Sequence, residues 1–299
     1  GNSKLIFSKK FDTAGNFIKY KCRVVFRGDR WIDHFQNKIY SGTVKTESVK
    51  LLLALAAAKN LVITTTDVKT AFLTSTTPER QQIYMRRPAG LNDDHMPEVI
   101  LLKKCLYGLP MAPARFREHC NKTLGSIGFL PLVTDPNVYR KVCLSGKFAY
   151  IAVHVDDFLI LSPNIQERDK IHSDISQYFT ININIEPDSY LGLHILNEDS
   201  KYLEISQPGY VVDIIDQFNL RTKDNVSTPL PVDLVRPLLS DRNKLLNKTK
   251  HQLYQSKVGT LLYLAHQTRP DILFACNHLS RYTKEPTDFD MTCVDRVLD

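Results

Sequence analysis

The sequence has no long hydrophobic run and no closely spaced pair of cysteines. Its longest apolar stretch, residues 51–58, falls well short of the roughly 18 residues that a membrane span requires. The six cysteines are scattered, which argues against a zinc site and favours an intracellular protein with free thiols. There is no signal peptide, internal repeat or low-complexity segment, and residue 1 is not methionine. We therefore expect the chain to be part of a longer polypeptide.

Positive charge is concentrated in the first 50 residues, which hold 11 Lys or Arg and 4 Asp or Glu. Their excess of +7 equals the net charge of all 299 residues, so the rest of the chain is neutral overall. Two interpretations stand side by side. The basic segment is either a solvated face or a surface for a polyanion, such as nucleic acid or a nucleotide phosphate.

Two adjacent aspartates, Asp156 and Asp157, interrupt the apolar run AYIAVHVDDFLILSP. Burying two like charges side by side is costly. A helix cap, a turn between strands or a solvated edge would tolerate the pair, and so would a site for divalent cations, whose charge removes the repulsion. A third carboxylate, Asp67, lies inside another strand-like run, LVITTTDVKTAFL, and raises the same question.

The first 27 residues predict a β-hairpin whose turn is formed by Gly15 and Asn16. Alternation along its second strand separates the side chains into a basic face and an apolar face. The basic face carries Lys19, Lys21 and Arg23, and the apolar face carries Ile18, Tyr20, Cys22 and Val24.

Capping signals and periodicity predict the remaining elements. Thr46 is expected to cap a helix over 46–60, and Pro113 and Gly128 to bound a helix over 113–127. Further predictions are an exposed hairpin region over 76–104, a strand, turn and strand around Ser145-Gly146, a helix over 165–179, a strand over 181–185, a hairpin over 190–206, a helix over 209–219, a linker over 226–250 and two helices broken near Pro270.

The order of elements through residues 46–190 predicts an α+β fold, with a sheet covered by helices on one face. In such a sheet Asp67 and the Asp156-Asp157 turn would meet at the ends of adjacent central strands. Three carboxylates so placed have the geometry of a two-metal site, with cations about 3.5–4 Å apart and a phosphate between them.

Ten stretches in a fixed order cover nearly the whole chain. They are YKCRVVFRGD, VKLLLALAAAKN, TTDVKTAFLTS, IYMRRPAGL, CLYGLPMAPARF, HVDDFLIL, YLGLHI, ISQPGYV, STP and VGTLLYLAHQTRPDILFACNHLSR. Through these stretches, in the family's own order, the chain resembles the reverse transcriptase region of a copia-type (Pseudoviridae) LTR retrotransposon Pol polyprotein.

The resemblance implies a right-hand polymerase with fingers, palm and thumb, and a ferredoxin-like palm sheet. The fingers would comprise residues 1–45 and 75–112, and the palm residues 46–74 and 113–200. Residues 201–299 would form the thumb and the start of a connection toward an RNase H domain, which this sequence lacks.

The resemblance also implies an RNA-directed and DNA-directed DNA polymerase that extends a primer with dNTPs. Asp67, Asp156 and Asp157 match the catalytic carboxylates of the family. Together with Val68 they are the expected ligands of two Mg²⁺ ions, for which Mn²⁺ can substitute. Asp67 and Asp156 would bridge both ions, one activating the primer 3′-hydroxyl and the other binding the incoming triphosphate.

Further roles follow from the same resemblance, each beside a structural alternative. Lys21 and Arg23 are expected to contact the triphosphate, or else belong to a solvated strand face. Phe72 resembles a steric gate against a 2′-hydroxyl, or else is a core residue on an amphipathic strand. Tyr107 and Gly108 fall at the nucleotide pocket.

Five positions are expected to contact the template-primer. His154 would border the primer end, and Leu191 and Gly192 resemble a hairpin that holds it, unless they form a simple turn. Gly259 and Tyr263, spaced i to i+4 on one helix face, resemble residues that follow the minor groove, or else form a helix-packing seam.

The sequence departs from the family pattern beside the nucleotide pocket. His154 replaces a usual tyrosine, Pro110-Met111 replaces Lys-Gln, Phe116 replaces a tryptophan, and an arginine is displaced to Arg115. Pro110 removes a backbone donor and restricts the preceding residue. These changes leave open an inactive relic or a non-catalytic subunit that binds template-primer. A general nucleic-acid-binding module would explain the basic segment but not the three carboxylates.

The implied partners are an RNA or DNA template with its primer, dNTPs, and other parts of a Pol polyprotein such as RNase H and integrase. No membrane partner is expected. The implied location is the cytoplasm, within virus-like particles, or the nucleus.

Overall fold

The computed structural model describes residues 1–11, 16–31, 39–78, 81–91, 96–199, 202–220, 227–231 and 244–299. The chain divides into two compact units, Gly1–Pro187 and Asp188–Asp299. The predicted palm boundary at residue 200 differs from this division, because the residues after 187 belong to the second unit. In the described ranges, no helix combines the length and the apolar character that crossing a bilayer demands.

The first unit contains ten strands and three α-helices among its described residues. Short 3-10 helices occupy Gly28–Arg30 and Ala71–Thr74. In chain order the other elements are β1 (Ser3–Phe11), β2 (Phe17–Phe26), α1 (Thr46–Lys59), β3 (Val62–Val68), β4 (Ile83–Arg86), β5 (Val99–Leu102), α2 (Ala112–Ser126), β6 (Leu130–Pro131), β7 (Val138–Val142), β8 (Phe148–His154), β9 (Asp157–Ser162), α3 (Ile165–Ser176) and β10 (Ile181–Asn184).

The central sheet has six antiparallel strands in the order β10-β3-β9-β8-β7-β6. Six elements of this layer and its covering helices have the chain order β-α-β-β-α-β, with shorter strands between some of them: β3, α2, β8, β9, α3 and β10. Their four strands lie in the spatial order fourth, first, third, second, which is the ferredoxin-like arrangement. The α+β prediction and the central placement of β3 and β9 are therefore confirmed.

Helices α2 and α3 cover one face of this sheet. Their buried side chains pack with Ile151 of β8 and with Phe158 and Ile160 of β9 in one apolar cluster. The helix contributions to that cluster are Phe116, Cys120 and Leu124 from α2 and Ile171 and Ile175 from α3.

The prediction of helices on one face only is wrong. Leu159 and Leu161 of β9 point to the opposite face from Phe158, and both are fully buried. Helix α1 lies on that side, because its Leu55 lines a cavity with Tyr150, which is directly opposite Leu161 in the ladder. A central strand buried on both faces needs cover on both, and the apolar run in β9 already carried that signal.

The start of α1 also differs from the prediction. Thr46 is the first helical residue rather than the cap, and the cap residue Lys45 makes no side-chain capping bond. Asp135 supplies the missing acceptor from a distant part of the chain. Its carboxylate accepts from the backbone N–H of Lys45 at 3.0 Å and from the hydroxyl of Ser48 at 2.7 Å. These bonds hold the pKa of Asp135 below its ordinary value, although burial opposes them.

Two antiparallel hairpins, β1-β2 and β4-β5, complete the first unit. The predicted turn residue Gly15 lies outside the described residues, whereas Asn16 precedes β2. The predicted apolar face of β2 is not buried, since Tyr20 is 75% and Ile18 49% exposed. The region predicted as exposed, around β4, instead buries Ile83 and Met85 on one face.

The second unit contains three strands and four α-helices in its described part. They are β11 (Ser189–Tyr190), β12 (Leu193–Asp199), β13 (Tyr202–Ser206), α4 (Pro208–Phe218), α5 (Lys248–Gln267), α6 (Leu273–Ser280) and α7 (Asp288–Leu298). The break between α5 and α6 contains a 3-10 turn at Pro270–Ile272, as predicted. Most of the predicted linker lies outside the described residues, and its last three residues begin α5.

Helix α7 has no counterpart among the predicted elements. Its sequence signal is a capping box, in which the Thr287 hydroxyl accepts from the backbone N–H of Asp290 and the Asp290 carboxylate accepts from that of Thr287. The buried side chains of Cys293 and Val294 join the apolar cluster of α5 and α6.

Candidate active site

The ladder between β3 and β9 brings the three predicted carboxylates together at one end of the sheet. Asp67 is directly opposite Asp157, and Asp157 is also opposite His154 of β8. The backbone N–H of Val68 donates to the carbonyl of Asp156 at 2.9 Å. The sequence-based expectation that Asp67 and the Asp156-Asp157 turn meet on adjacent central strands is thus confirmed.

The turn that carries Asp156 is strained. Val155 has φ +57°, in the left-handed region, which β-branched residues rarely occupy. Such a tight connection between β8 and β9 requires positive φ, and the chain meets that requirement without a glycine. Sequence reasoning did not single out Val155, because valine gives no turn signal.

Repulsion from the neighbouring carboxylates acts on the pKa of Asp157. Burial raises the pKa of Asp157, and the negative charges of Asp156 and Asp67 raise it further, while His154 acts in the opposite direction. Burial likewise raises the pKa of Tyr107, with Asp156 and Asp67 adding to the effect. These couplings place the Tyr107 hydroxyl within the field of the carboxylates.

The donor set suits hard divalent cations, although the side chains do not converge fully. Among the described residues, no three Asp, Glu, His or Cys side chains lie close enough to hold one metal ion. The unrelieved repulsion on Asp157 is nevertheless what a cation between carboxylates would remove. Val68 is a buried hydrocarbon, so only its carbonyl oxygen could serve as a ligand.

An amide contact to Asp67 was missed by the sequence reasoning. The side-chain nitrogen of Asn182, directly opposite Asp67 on β10, donates to Asp67 Oδ2 at 3.3 Å. A prediction would have needed the register of β10 against β3, which no local pattern gives. Asn182 therefore helps to fix the orientation of this carboxylate.

Four of the predicted nucleotide-site residues form one group beside the carboxylates. The guanidinium of Arg23 stands 5.7 Å from the ring centre of Tyr107, and the rings of Phe72 and Tyr107 are 4.9 Å apart, edge to face. Gly108 follows Tyr107 directly. Lys21 is exposed and lies on the same face of β2 as Arg23. Among the described residues it makes no direct contact with this group.

Phe72 lies on the 3-10 helix Ala71–Thr74, not on the strand that the sequence predicted. Its ring is partly buried, and it packs against both the central core and the cluster around Phe26. It also meets Phe116 edge to face at 6.3 Å. The structure thus gives Phe72 a packing role on one side and a position next to Tyr107 on the other.

Gly108 is required by close backbone packing. It has φ +86°, and a Cβ there would lie 2.0 Å from the carbonyl oxygen of Phe26. The backbone N–H of Phe26 donates to the carbonyl of Tyr107 at 2.8 Å. This contact fixes Tyr107 against the end of β2, the strand that carries Arg23.

The departures from the family pattern lie in packed positions. Met111 is fully buried and Phe116 is 2% exposed, each within an apolar cluster. Pro110 lies two residues before α2, in a turn where the backbone N–H of Ala112 donates to the Leu109 carbonyl at 3.0 Å. The Nδ1 atom of His154 is buried and has no hydrogen-bond partner among the described residues.

The predicted template-primer residues of the second unit fall into two places. Leu191 and Gly192 form the two-residue connection between β11 and β12, and both have positive φ, as in a type I′ turn. A Cβ on Gly192 would lie 3.9 Å from the Tyr263 hydroxyl. A Cβ on Gly259 would meet nothing within 4 Å, so within the described chain it does not form a packing seam.

Comparison with known proteins gives a consistent result. Residues 2–232 match a family model described as reverse transcriptase (RNA-dependent DNA polymerase). The chain is 32% identical over 298 residues to the retrovirus-related Pol polyprotein from transposon RE1 of Arabidopsis thaliana, covering 98% of this chain and 20% of the relative. It is 32% identical over 292 residues to the Pol polyprotein from transposon TNT 1-94 of Nicotiana tabacum, covering 95% and 22%.

A shorter relative, the Ty5-1 transposon protein of Saccharomyces cerevisiae, is 32% identical over 233 residues, covering 78% of this chain and 73% of that protein. The chain spans about a fifth of the length of the plant polyproteins that it matches.

Proposed function

Because this chain belongs to the reverse transcriptase (RNA-dependent DNA polymerase) family, we propose that it extends a primer with dNTPs along an RNA or DNA template. One observation carries the proposal: the register that sets Asp67 opposite Asp157, next to Asp156, at one end of the central sheet. Membership of the family supports DNA polymerase activity in general. The arrangement of these three carboxylates supports a phosphoryl-transfer mechanism.

Divalent cations bound at these carboxylates, Mg²⁺ or Mn²⁺ as its substitute, would supply Lewis-acid activation of the primer hydroxyl and stabilisation of charge on the leaving pyrophosphate. The task of Asp67, Asp156 and Asp157 is to present oxygen ligands from two adjacent strand ends and the turn between β8 and β9. Asn182 restrains one of those ligands, and the strained Val155 turn fixes the direction of another.

The residues around Tyr107 would bind and select the nucleotide. Arg23, with Lys21 on the same strand face, offers positive charge to a triphosphate. The Phe72 ring, held against Tyr107, would lie beneath the sugar and exclude a 2′-hydroxyl. Gly108 keeps the Tyr107 backbone tight against β2, so that these side chains stay in register.

Residues of the second unit would bind the template-primer. The exposed surface at Gly259 has room for a close approach by a nucleic-acid backbone, and Tyr263 lies one helical turn further along α5. The Leu191-Gly192 turn would contact the primer strand. In this proposal residues 1–45 and 75–112 act as fingers, 46–74 and 113–200 as palm, and 201–299 as thumb.

The two plant relatives are much longer polyproteins, so we further propose that this chain works beside other Pol segments, including RNase H and integrase. The cytoplasm, within virus-like particles, or the nucleus is the proposed location.

Primer extension on poly(rA)–oligo(dT) with dTTP tests the proposal. Extension with Mg²⁺ or Mn²⁺, lost in EDTA and in Asp156→Asn while duplex binding persists, is the expected result. A folded protein that binds the duplex but never extends it, even when joined to the following Pol region, would favour an inactive relic or a structural subunit.

A further inference from the structure

A polar cavity outside the candidate active site lies between α2 and the segment that follows the 3-10 helix Ala71–Thr74. It has a volume of about 280 Å³. None of the residues assigned above to catalysis or nucleotide binding lines it. Its main polar lining consists of Thr74, Ser75 and Thr76 on one side and Arg115, His119 and Lys122 on the other.

The helix side of this cavity is positively charged. Arg115, His119 and Lys122 are spaced i, i+4 and i+7, so they share one face of α2. Glu118 also lines the cavity, and its carboxylate contacts the Arg115 guanidinium at 3.3 Å. Lys122 forms no ion pair within the described part of the chain. The cavity lining therefore sets one carboxylate, that of Glu118, against two permanent cations, Arg115 and Lys122.

The imidazole of His119 is oriented by a hydroxyl. Thr74 Oγ1 donates its proton to the carbonyl of Ala71 at 2.6 Å, so toward His119 Nδ1, 3.3 Å away, it acts as an acceptor. Nδ1 therefore carries the hydrogen, and Nε2 is the ring atom left to bind a ligand. Burial and the charge of Lys122 lower the pKa of His119.

A second observation points to a missing ligand. Ser75 is 6% exposed and lines the cavity, yet its hydroxyl is buried and has no hydrogen-bond partner in the described chain. Burying a polar group without a partner destabilises the fold, so native structures rarely keep one without a reason. A ligand with acceptor oxygens would satisfy it.

We propose that this cavity binds a phosphate group, as inorganic phosphate or as the terminal phosphate of a nucleic-acid strand. Two cations and the hydroxyls of Ser75 and Thr76 form a donor set that matches a tetrahedral oxyanion, and His119 Nε2 accepts a hydrogen bond from the P–OH of a singly protonated phosphate. The cavity is large enough to admit a phosphate group.

Isothermal titration of the full 299-residue chain with inorganic phosphate, in buffer without metal, tests the site. The double variant Arg115→Ala/Lys122→Ala should raise the Kd at least about tenfold, since each charge-assisted bond contributes on the order of 1.5 kcal/mol or more. Arg117→Ala is the matched control, because it removes an arginine of the same helix that does not line the cavity, and its Kd should stay within about twofold of the wild-type value.

Lys21→Ala/Arg23→Ala separates this cavity from the proposed nucleotide site. If phosphate binding disappears in that variant and persists in Arg115→Ala/Lys122→Ala, the proposal is wrong, whatever the polymerase activity. Comparison of a short oligodeoxynucleotide with a 5′-phosphate against the same strand with a 5′-hydroxyl identifies the source of the phosphate. Tighter binding of the phosphorylated strand than of the 5′-hydroxyl strand supports a strand end, and equal binding of the two strands supports the small ion.

A measurement on the unaltered protein guards against variants that do not fold. Phosphate should shift the imidazole nitrogen signals of His119 in a ¹⁵N-labelled sample, with the signals assigned by their loss in His119→Gln. Saturating phosphate that leaves the His119 signals in place would overturn the proposal.

Discussion

Replacing Asp157 by asparagine should stabilise the metal-free protein while abolishing synthesis. The folded-state pKa of Asp157 is raised above its ordinary value of 3.8, chiefly by burial and then by Asp156 and Asp67. Because its folded-state pKa is raised, this carboxyl contributes its full stabilisation of the folded state at pH values below its unfolded-state pKa. That contribution is lost as the pH rises through the folded-state pKa. At neutral pH the ionised group therefore destabilises the folded state. Asparagine keeps an acceptor oxygen and removes the charge.

The size of the effect follows from the strand register. Residues directly opposite in an antiparallel pair have Cα atoms about 4.5–5.5 Å apart, so the charge on Asp157 lies within about 6 Å of a neighbouring carboxylate. Two unit charges at about 6 Å repel by roughly 0.7 kcal/mol in water and about 2.8 kcal/mol at an effective dielectric constant near 20. Because Asp157 is only half-buried, solvent screening reduces the expected gain to about 1 kcal/mol.

Thermal unfolding in EDTA at pH 7.5 or so measures this gain. A chain of this size should show a Tm about 2–4 °C higher for Asp157→Asn than for wild type. Asp216→Asn, on the exposed face of α4, is the matched control and should leave the Tm unchanged. Mg²⁺ at about 100 times its Kd should stabilise the wild type by about 2.7 kcal/mol and the variant by clearly less. A Tm for Asp157→Asn that is unchanged or lower in EDTA would refute the repulsion argument.

Three further predictions concern the nucleotide pocket. Phe72→Ala should raise kcat/KM for ribonucleotides relative to dNTPs at least about tenfold, and unchanged selectivity in single-nucleotide incorporation would leave Phe72 as packing alone. Arg23→Ala should raise the KM for dNTP about tenfold or more, and Lys21→Ala should raise it less, because only Arg23 stands over Tyr107. A variant that loses more affinity for the duplex than for dNTP would contradict a role of this strand in nucleotide binding. Gly108→Ala should destabilise the fold by about 3 kcal/mol in urea unfolding, since its Cβ meets the Phe26 carbonyl at positive φ. Gly125→Ala, whose Cβ would meet nothing within 4 Å, should be neutral or stabilising by about 0.5–1 kcal/mol, and equal losses in both would refute the packing argument.

Local signals were sufficient for most of the elements and for the catalytic candidates. Asp67 and the Asp156-Asp157 pair stood out because carboxylates inside β-branched runs need a partner, and the ladder supplied one by bringing both runs to the same end of the sheet. The strand, turn and strand around Ser145-Gly146 and the break near Pro270 follow from residues that restrict their own backbone.

One error arose where distant parts of the chain act on one another. Thr46 is a residue type that favours the cap position, yet Asp135 performs that task from 87 to 90 residues away along the chain. The error at Phe72 had a local cause instead, because the backbone of Thr70 takes the left-handed region and a 3-10 helix follows where the sequence predicted a strand.

Residue types and their spacing along the chain were enough to identify the family, most of the elements in their order and the three carboxylates. Three relations became apparent only in the folded chain: Asn182 donates to Asp67, Arg23 lies over Tyr107, and Ser75 lines a basic cavity with a hydroxyl that has no partner among the described residues. Those relations depend on strand register and on helix placement. Both are set by packing between segments far apart in the chain, which a local pattern does not encode.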